Sequence, residues 1–177
     1  MDFMLYTRKG DSGTTTAFGC NQQRISKSSE LPEALGSLDE LNAFLGFIKM
    51  RDPRIAHTLR EVQETLFIIQ AQVAGADKKV GEHSVQQVER LVNDIEEKIP
   101  SLKGFSIAGG TELSALLDVA RTLARRVERR VIAVKELGIR DLPSATMQYL
   151  NRLSSLLFAL ARLANHLAGV TEENPKY

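Results

Sequence analysis

From residue 31 onward, apolar residues recur at three- and four-residue steps, and breaks in the pattern divide the chain into five segments. Leu38, Leu41, Phe44, Leu45 and Ile48 mark the first, with Pro32 suited to its first helical position. After Arg51-Asp52-Pro53 a second stripe follows, Ile55, Leu59, Val62, Leu66, Ile69 and Val73, which Gly75 ends. Ser84 and Gln87 have the spacing of a capping box and predict a third, shorter helix running to Ile99 before Pro100. Gly109-Gly110-Thr111 introduces a long helix to Leu137, with Gly138 in the position that favours a left-handed residue. The last helix starts near Pro143, reaches about Leu167 and has Gly169 just beyond. Four long helices and one shorter one, joined by short turns, predict an all-α, up-and-down five-helix bundle.

The first thirty residues have a different texture. Residues 7–19 are rich in glycine and hydroxyls and carry no sustained apolar period, so they read as a loop, with a short strand expected at residues 3–6. Loops this long in compact domains are usually functional or disordered. The chain of 177 residues is therefore expected to be one domain: an N-terminal loop over 1–30, a helical bundle over 31–169 and a tail over 170–177.

Composition narrows the function classes. A hydrophobic fraction of 43% with 25% charged residues excludes wholesale disorder. Lys+Arg at 23 against Asp+Glu at 22 leaves +1, which gives no global electrostatic case for nucleic acid or membrane as a partner. The single cysteine, Cys20, forms no internal disulfide and fits a reducing compartment. No apolar run approaches the roughly 18 residues of a membrane span. The opening Met1-Asp2-Phe3-Met4-Leu5 has neither the basic region nor the apolar core of a secretion signal, so a cytoplasmic location is expected.

Charge is balanced overall but not locally. Arg121, Arg125, Arg126, Arg129 and Arg130 lie within ten residues that hold one acid, Glu128. At about 100° per residue, Arg121, Arg125, Glu128 and Arg129 share one helix face. Leu116, Ala120, Leu123, Val127, Val131 and Val134 take the opposite, core-facing side. Charge runs are commonly solvated faces. Here, however, like charges repeat at the spacing where they repel, and every cation is arginine, whose planar fork suits bidentate contact with phosphate or carboxylate. A polyanionic ligand resolves that repulsion.

The N-terminal loop offers a matching set of donors. Gly10 and Gly13 allow backbone amides to converge on an anion, Thr14, Thr15 and Thr16 supply hydroxyls, and Arg8, Lys9 and Lys27 add charge. The loop fits neither the Walker A nor the dinucleotide-binding glycine pattern, and alone it is equally readable as a flexible terminus. His57, His83 and His166 share no metal-ligand spacing. Asp39 sits beside an apolar face where an arginine partner is called for. Asn151 and Ser154, on an otherwise apolar helix, serve either packing or a site.

Six segments occur in order: Thr7-Arg8-Lys9-Gly10-Asp11-Ser12-Gly13-Thr14-Thr15, Arg24-Ile25-Ser26-Lys27, Gly36-Ser37-Leu38-Asp39-Glu40-Leu41-Asn42, Gly109-Gly110-Thr111, Arg121-Thr122-Leu123-Ala124-Arg125-Arg126-Val127-Glu128-Arg129, and Leu150-Asn151-Arg152-Leu153-Ser154. Together they resemble the PduO-type ATP:cob(I)alamin adenosyltransferases over residues 4–168. The resemblance implies a homotrimer with ATP at each subunit interface, transfer of the 5′-deoxyadenosyl group of ATP to the cobalt of cob(I)alamin, and release of triphosphate. By that likeness residues 7–15, notably Thr7, Arg8, Gly10, Asp11, Gly13, Thr14 and Thr15, with Lys27, wrap the triphosphate and its Mg²⁺. Arg125, Arg126, Glu128, Arg129 and Asn151 hold phosphates and ribose, with Arg125 catalytic. Asp39 and Arg121 match a salt bridge between subunits. Phe105 matches the aromatic that presses on the lower face of the corrin and keeps cobalt four-coordinate, and Phe158 lines the same pocket.

Ser155 and Ala108 depart from the family pattern, which commonly has aspartate and proline there. Both fall on the corrinoid side. The resemblance also implies an adenosylcobalamin-dependent enzyme as client. The alternative function is a non-catalytic ATP-binding sensor built on the same bundle.

Overall fold

The computed structural model describes residues 6–18, 23–102 and 104–177. Its elements are β1 (Thr14–Thr16), β2 (Arg24–Ser26), α1 (Glu30–Ile48), α2 (Pro53–Ala74), α3 (Glu82–Glu96), α4 (Glu112–Glu136) and α5 (Ser144–Leu167). The expected bundle of five helices, one of them shorter, is what forms. α1 packs on α2 and α4, and α5 packs on α4 and α3.

Cross-helix side-chain pairs fix the directions. Arg130 meets Glu33, Arg126 meets Glu40 and Arg51 meets Glu112, so α1 and α4 run antiparallel. Asn42 and Gln63 exchange hydrogen bonds across antiparallel α1 and α2, while Asn151 with Glu128 and Asn165 with Thr111 set α5 antiparallel to α4. One end of the bundle therefore carries the start of α1 and the ends of α2 and α4. The other carries the starts of α2 and α4 and the end of α5.

The helix boundaries follow their capping chemistry. Asp52 caps α2 by accepting the Arg54 amide at 2.9 Å, with Pro53 at the first helical position. Thr111 caps α4 by accepting the Ser114 amide at 3.1 Å. Gly75 ends α2 at φ 107°, a conformation that strains any residue bearing a Cβ.

Four expectations need correction. α3 begins two residues before Ser84, behind Gly81, and the Gln87 amide donates to Glu61 of α2 at 3.0 Å, so Ser84 and Gln87 form no capping box. That helix also stops at Glu96, short of Ile99. Pro32 is the third helical residue of α1. On α4, Leu117 and Ala124 are fully buried while Leu116 and Leu123 are half-buried, which turns the core stripe slightly from the expected one.

The leader is partly ordered as a strand pair: β1 and β2 are antiparallel, with Thr15 opposite Ile25. Isolated three-residue strands are marginal, and side chains supply what the ladder lacks. Arg24 donates to the Thr14 hydroxyl at 2.8 Å, to the Thr14 carbonyl at 2.9 Å and to the Lys9 carbonyl. Ala17 and Ile25 rest against the core. The expected strand at residues 3–6 and Cys20 lie outside the described residues, apart from Tyr6, which is in no strand.

Candidate active site

Between α4, α5 and the segment preceding Thr111 lies an open cleft of about 600 Å³, walled by Phe105, Arg121, Arg125, Ser154, Ser155 and Phe158 and floored by Leu102, Gly104 and Ser106. Helix periodicity explains the wall. Arg121 and Arg125 are one turn apart on α4, and Ser154, Ser155 and Phe158 follow the same repeat on α5. Phe105 is 78% exposed, a large apolar ring held open to the cleft on an irregular segment. Two arginines of the cluster, Arg121 and Arg125, and the two phenylalanines singled out in sequence thus line one cleft.

The glycine-glycine-threonine turn that delivers this segment to α4 is built around a buried asparagine. Asn165 Oδ1 accepts the Thr111 amide at 2.9 Å and the Thr111 hydroxyl at 3.2 Å, and its Nδ2 donates to the Gly109 carbonyl at 2.8 Å. Gly110 has φ 102°, and a Cβ there would fall 2.5 Å from Asn165 Oδ1. The glycine is required twice over, by backbone angle and by close approach. One residue that sequence reasoning passed over completes the frame. Asp118, almost buried, accepts the Gly109 amide at 3.3 Å on one oxygen and Arg121 Nε at 3.0 Å on the other. An aspartate on the core side of a helix, three residues before an arginine, was the available signal.

The five arginines have different fates. Arg126 pairs with Glu40 and Arg130 with Glu33 at 3.5 Å, both acids being supplied by α1. Arg121 is held by Asp118 and stacks its guanidinium 5.8 Å from the centroid of Phe158. Much of the predicted like-charge repulsion is thus relieved inside the chain, by acids remote in sequence. Arg125 and Arg129 are exposed and have no ion pair or hydrogen bond among the described residues. They lie one and two turns beyond Arg121, so a cationic track leads about 12 Å from the cleft towards the end of α4. Glu128 accepts from Asn151 at 2.9 Å, and Asn151 in turn accepts from Arg152 at 2.7 Å. Ser154, which also lines the cleft, donates to its own helix at the Asn151 carbonyl at 3.2 Å. Asp39 is exposed and forms no ion pair among the described residues.

The leader presents its polar groups at the end of the bundle where α1 begins. Thr7, Arg8 and Asp11 are exposed, and Arg8 adopts φ 58°, an uncommon left-handed angle for a residue with a Cβ. Lys27 folds over Gly10 so closely that a Cβ at Gly10 would meet its Nζ at 2.9 Å, and the Lys27 amide donates to the Gly13 carbonyl at 2.9 Å. The Asp11 and Gly13 amides are spent on turns to Arg8 and Gly10, so these two do not converge on an external anion. Within one chain no hydrogen bond or ion pair among the described residues joins residues 7–16 to Arg121, Arg125 or Arg129.

The sequence profile named Cobalamin adenosyltransferase matches residues 5–164. The chain belongs to that family. It is 38% identical over 171 residues to a corrinoid adenosyltransferase of Citrobacter freundii, covering 91% of this chain and 94% of that one. It is 35% identical over 176 residues to the corrinoid adenosyltransferase of Bacillus subtilis, covering 94% and 89%. Against the longer corrinoid adenosyltransferase PduO of Citrobacter freundii, identity is 36% and the match spans 92% of this chain but 50% of that protein. The fold superposes with a TM-score of 0.90 and 28% identity on a variant PduO-type ATP:corrinoid adenosyltransferase from Lactobacillus reuteri, solved with cobalamin and ATP, covering 98% of this chain and 100% of that one. The enzyme class, an ATP:corrinoid adenosyltransferase on a five-helix bundle, follows from this membership.

Proposed function

We propose that the chain transfers the 5′-deoxyadenosyl group of ATP to cob(I)alamin, releasing triphosphate, in a homotrimer. In that assembly the α4–α5 cleft of one protomer faces the β1–β2 leader of its neighbour. The observation carrying this reading is a pair of guanidiniums without a partner among the described residues, Arg125 and Arg129, in a track that starts at the Phe105–Phe158 cleft. Apolar rings and free cations side by side suit a substrate pair made of a flat macrocycle and a polyphosphate. Among the described residues no hydrogen bond or ion pair ties the leader to that track within one chain, which leaves both open to an intersubunit site, and Asp39, exposed on α1, is available to a neighbour's Arg121.

The reaction asks little covalent chemistry of the protein. The filled orbital of Co(I) attacks C5′, the C5′–O bond breaks, its electron pair leaves on the triphosphate, and cobalt becomes Co(III). The chain has to align cobalt with C5′ and offset charge growing on the leaving group. Arg125 and Arg129, together with Thr7, Arg8, Thr14, Thr15 and Lys27 of the facing leader, are placed for the second task. Arg126 joins them if ATP draws it from Glu40, and Glu128 with Asn151 meets the ribose. Phe105 excludes a lower ligand from cobalt by apolar bulk.

The donor set also fits a Mg²⁺ that arrives on the triphosphate. Among the described residues no three His, Cys, Asp or Glu side chains cluster, and Mg²⁺ is ordinarily held by one or two carboxylates plus substrate phosphates and water. The ion would be held mainly through the phosphates, with Asp11 the exposed carboxylate of the leader. When bound, the ion neutralises charge on the phosphate oxygens. ATP and a reduced cobalt both belong to a reducing cytoplasm, where the adenosylcobalamin formed would pass to a dependent enzyme.

An anaerobic assay with ATP, Mg²⁺ and chemically reduced cobalamin, following the light-sensitive cobalt–carbon bond by absorbance, tests the reading. ATP binding without product would instead support the non-catalytic sensor.

A further inference from the structure

Cobalamin is more than a corrin. It carries a benzimidazole ribonucleotide tail whose base is the lower cobalt ligand, and a residue that excludes that base from cobalt leaves the tail to be placed elsewhere. The segment bearing Phe105 also lines a second cavity, of about 470 Å³. It shares Leu102 and Ser106 with the corrinoid cleft, so the two spaces adjoin through this one segment. The size lies within the range of roughly 300–1,000 Å³ of small-ligand sites.

The cavity is a built one. Its outer wall is the chain after α5, fastened to the Phe105 segment by the Ile107 amide donating to the Glu173 carbonyl at 2.8 Å and by Asn174 Nδ2 donating to the Phe105 carbonyl at 2.7 Å. Arg162, 9% exposed, fixes the floor: it donates to both oxygens of Glu172 at 3.0 Å and to the Pro100 carbonyl at 2.8 Å. Its charge is thus spent internally. The remaining lining divides by chemistry. Ile99, Pro100 and Val170 offer an apolar surface for a flat aromatic base. Ser101, Thr171 and His166 offer hydroxyls and an imidazole for ribose and a phosphodiester.

Resting on the corrinoid reading of the cleft, we propose that this cavity receives the displaced benzimidazole ribonucleotide tail of cobalamin. It offsets part of the cost of breaking the bond between the lower base and cobalt, which Phe105 imposes. Binding energy from a non-reacting part of the substrate is then used at the reacting centre. The site discriminates between corrinoids with and without the tail, whereas Phe105 acts on the lower ligand itself.

The test uses the trimeric enzyme with cobalamin and with cobinamide, which lacks the tail, in parallel. Thr171→Trp fills the cavity and His166→Ala removes its imidazole, and neither residue lines the corrinoid cleft. The expected result is a KM for cobalamin raised on the order of tenfold by Thr171→Trp, and by a smaller factor for His166→Ala, with cobinamide and ATP kinetics unchanged. Free benzimidazole ribonucleotide should perturb the His166 imidazole resonances of the unmodified enzyme. Equal effects on both corrinoids, or none on either, would overturn the tail subsite while leaving the transferase reading intact. Failure of the unmodified enzyme to adenosylate either corrinoid would overturn both.

Discussion

Asp118 holds Arg121 with one carboxylate oxygen, Nε to Oδ1 at 3.0 Å, and the amide of Gly109 with the other. A single buried side chain thereby ties the segment carrying Phe105 to the first guanidinium of the cleft. Asp118→Asn preserves the shape and one acceptor but removes the charge that orients Arg121. The variant should lose on the order of tenfold in kcat/KM for the corrinoid, about 1.4 kcal/mol of transition-state stabilisation, while KM for ATP stays in place. Steady-state kinetics with each substrate varied in turn decide the matter. An equal loss for ATP would assign Asp118 a merely structural part.

Arg125 separates function from stability more cleanly. It is exposed and has no ion pair or hydrogen bond among the described residues, so Arg125→Ala should leave the thermal midpoint within about 1 °C, as for a surface change of a few tenths of a kcal/mol. Turnover should fall by at least the roughly 10²–10³-fold that follows removal of one preorganised donor to a developing anion. Arg126→Ala, by contrast, breaks the contact with Glu40 and is expected to show a small loss of stability as well. Calorimetry and single-turnover kinetics on the two variants check this contrast.

The comparison of Arg125 with Arg126 also shows where sequence reading succeeds and stops. The five helices and the shared face of Arg121 and Arg125 were legible because they depend on local period and spacing, whereas Phe105 and Phe158 were reached only through the family resemblance. The pairing of Arg126 and Arg130 with Glu40 and Glu33 was not, since it depends on which helices become neighbours. The missed hairpin has the same origin: β1 and β2 are too short to show a period, and Arg24 holds them through contacts ten and fifteen residues away. Asn165 was hidden for a related reason, because a buried polar residue declares its role only when the turn it satisfies, 54 residues distant, is known.

That turn supplies a stability prediction. Gly110→Ala introduces a Cβ against Asn165 and a side chain at φ 102°. It should cost roughly 1–3 kcal/mol and lower the urea midpoint without altering the slope. Because the same turn positions the Phe105 segment, corrinoid KM should rise with it. A variant with unchanged stability would contradict the close approach described here.

Phe105 is predicted to act through the lower ligand alone. Its ring is largely exposed, so Phe105→Ala leaves folding essentially untouched. Reaction with cobalamin should collapse, whereas cobinamide, with no base to displace, should react at a rate near that of the unmodified enzyme. Parallel rates on both corrinoids would count against the role.

Acid stability gives a last test, away from the site. Asp52 caps α2 and accepts Arg54 Nε at 3.0 Å, and the bond from Arg54 holds its carboxyl below the usual value of 3.8. A carboxyl whose folded value is depressed contributes fully above its unfolded value, about 3.9, and that contribution disappears as pH falls through the lower folded value. Asp52→Ala should therefore cost about 1 kcal/mol at pH 7 by urea unfolding. Towards pH 3 the gap between variant and parent should narrow, because the parent loses its cap by protonation. A difference that stayed constant from pH 7 to pH 3 would show that the charge of Asp52 contributes nothing to the cap.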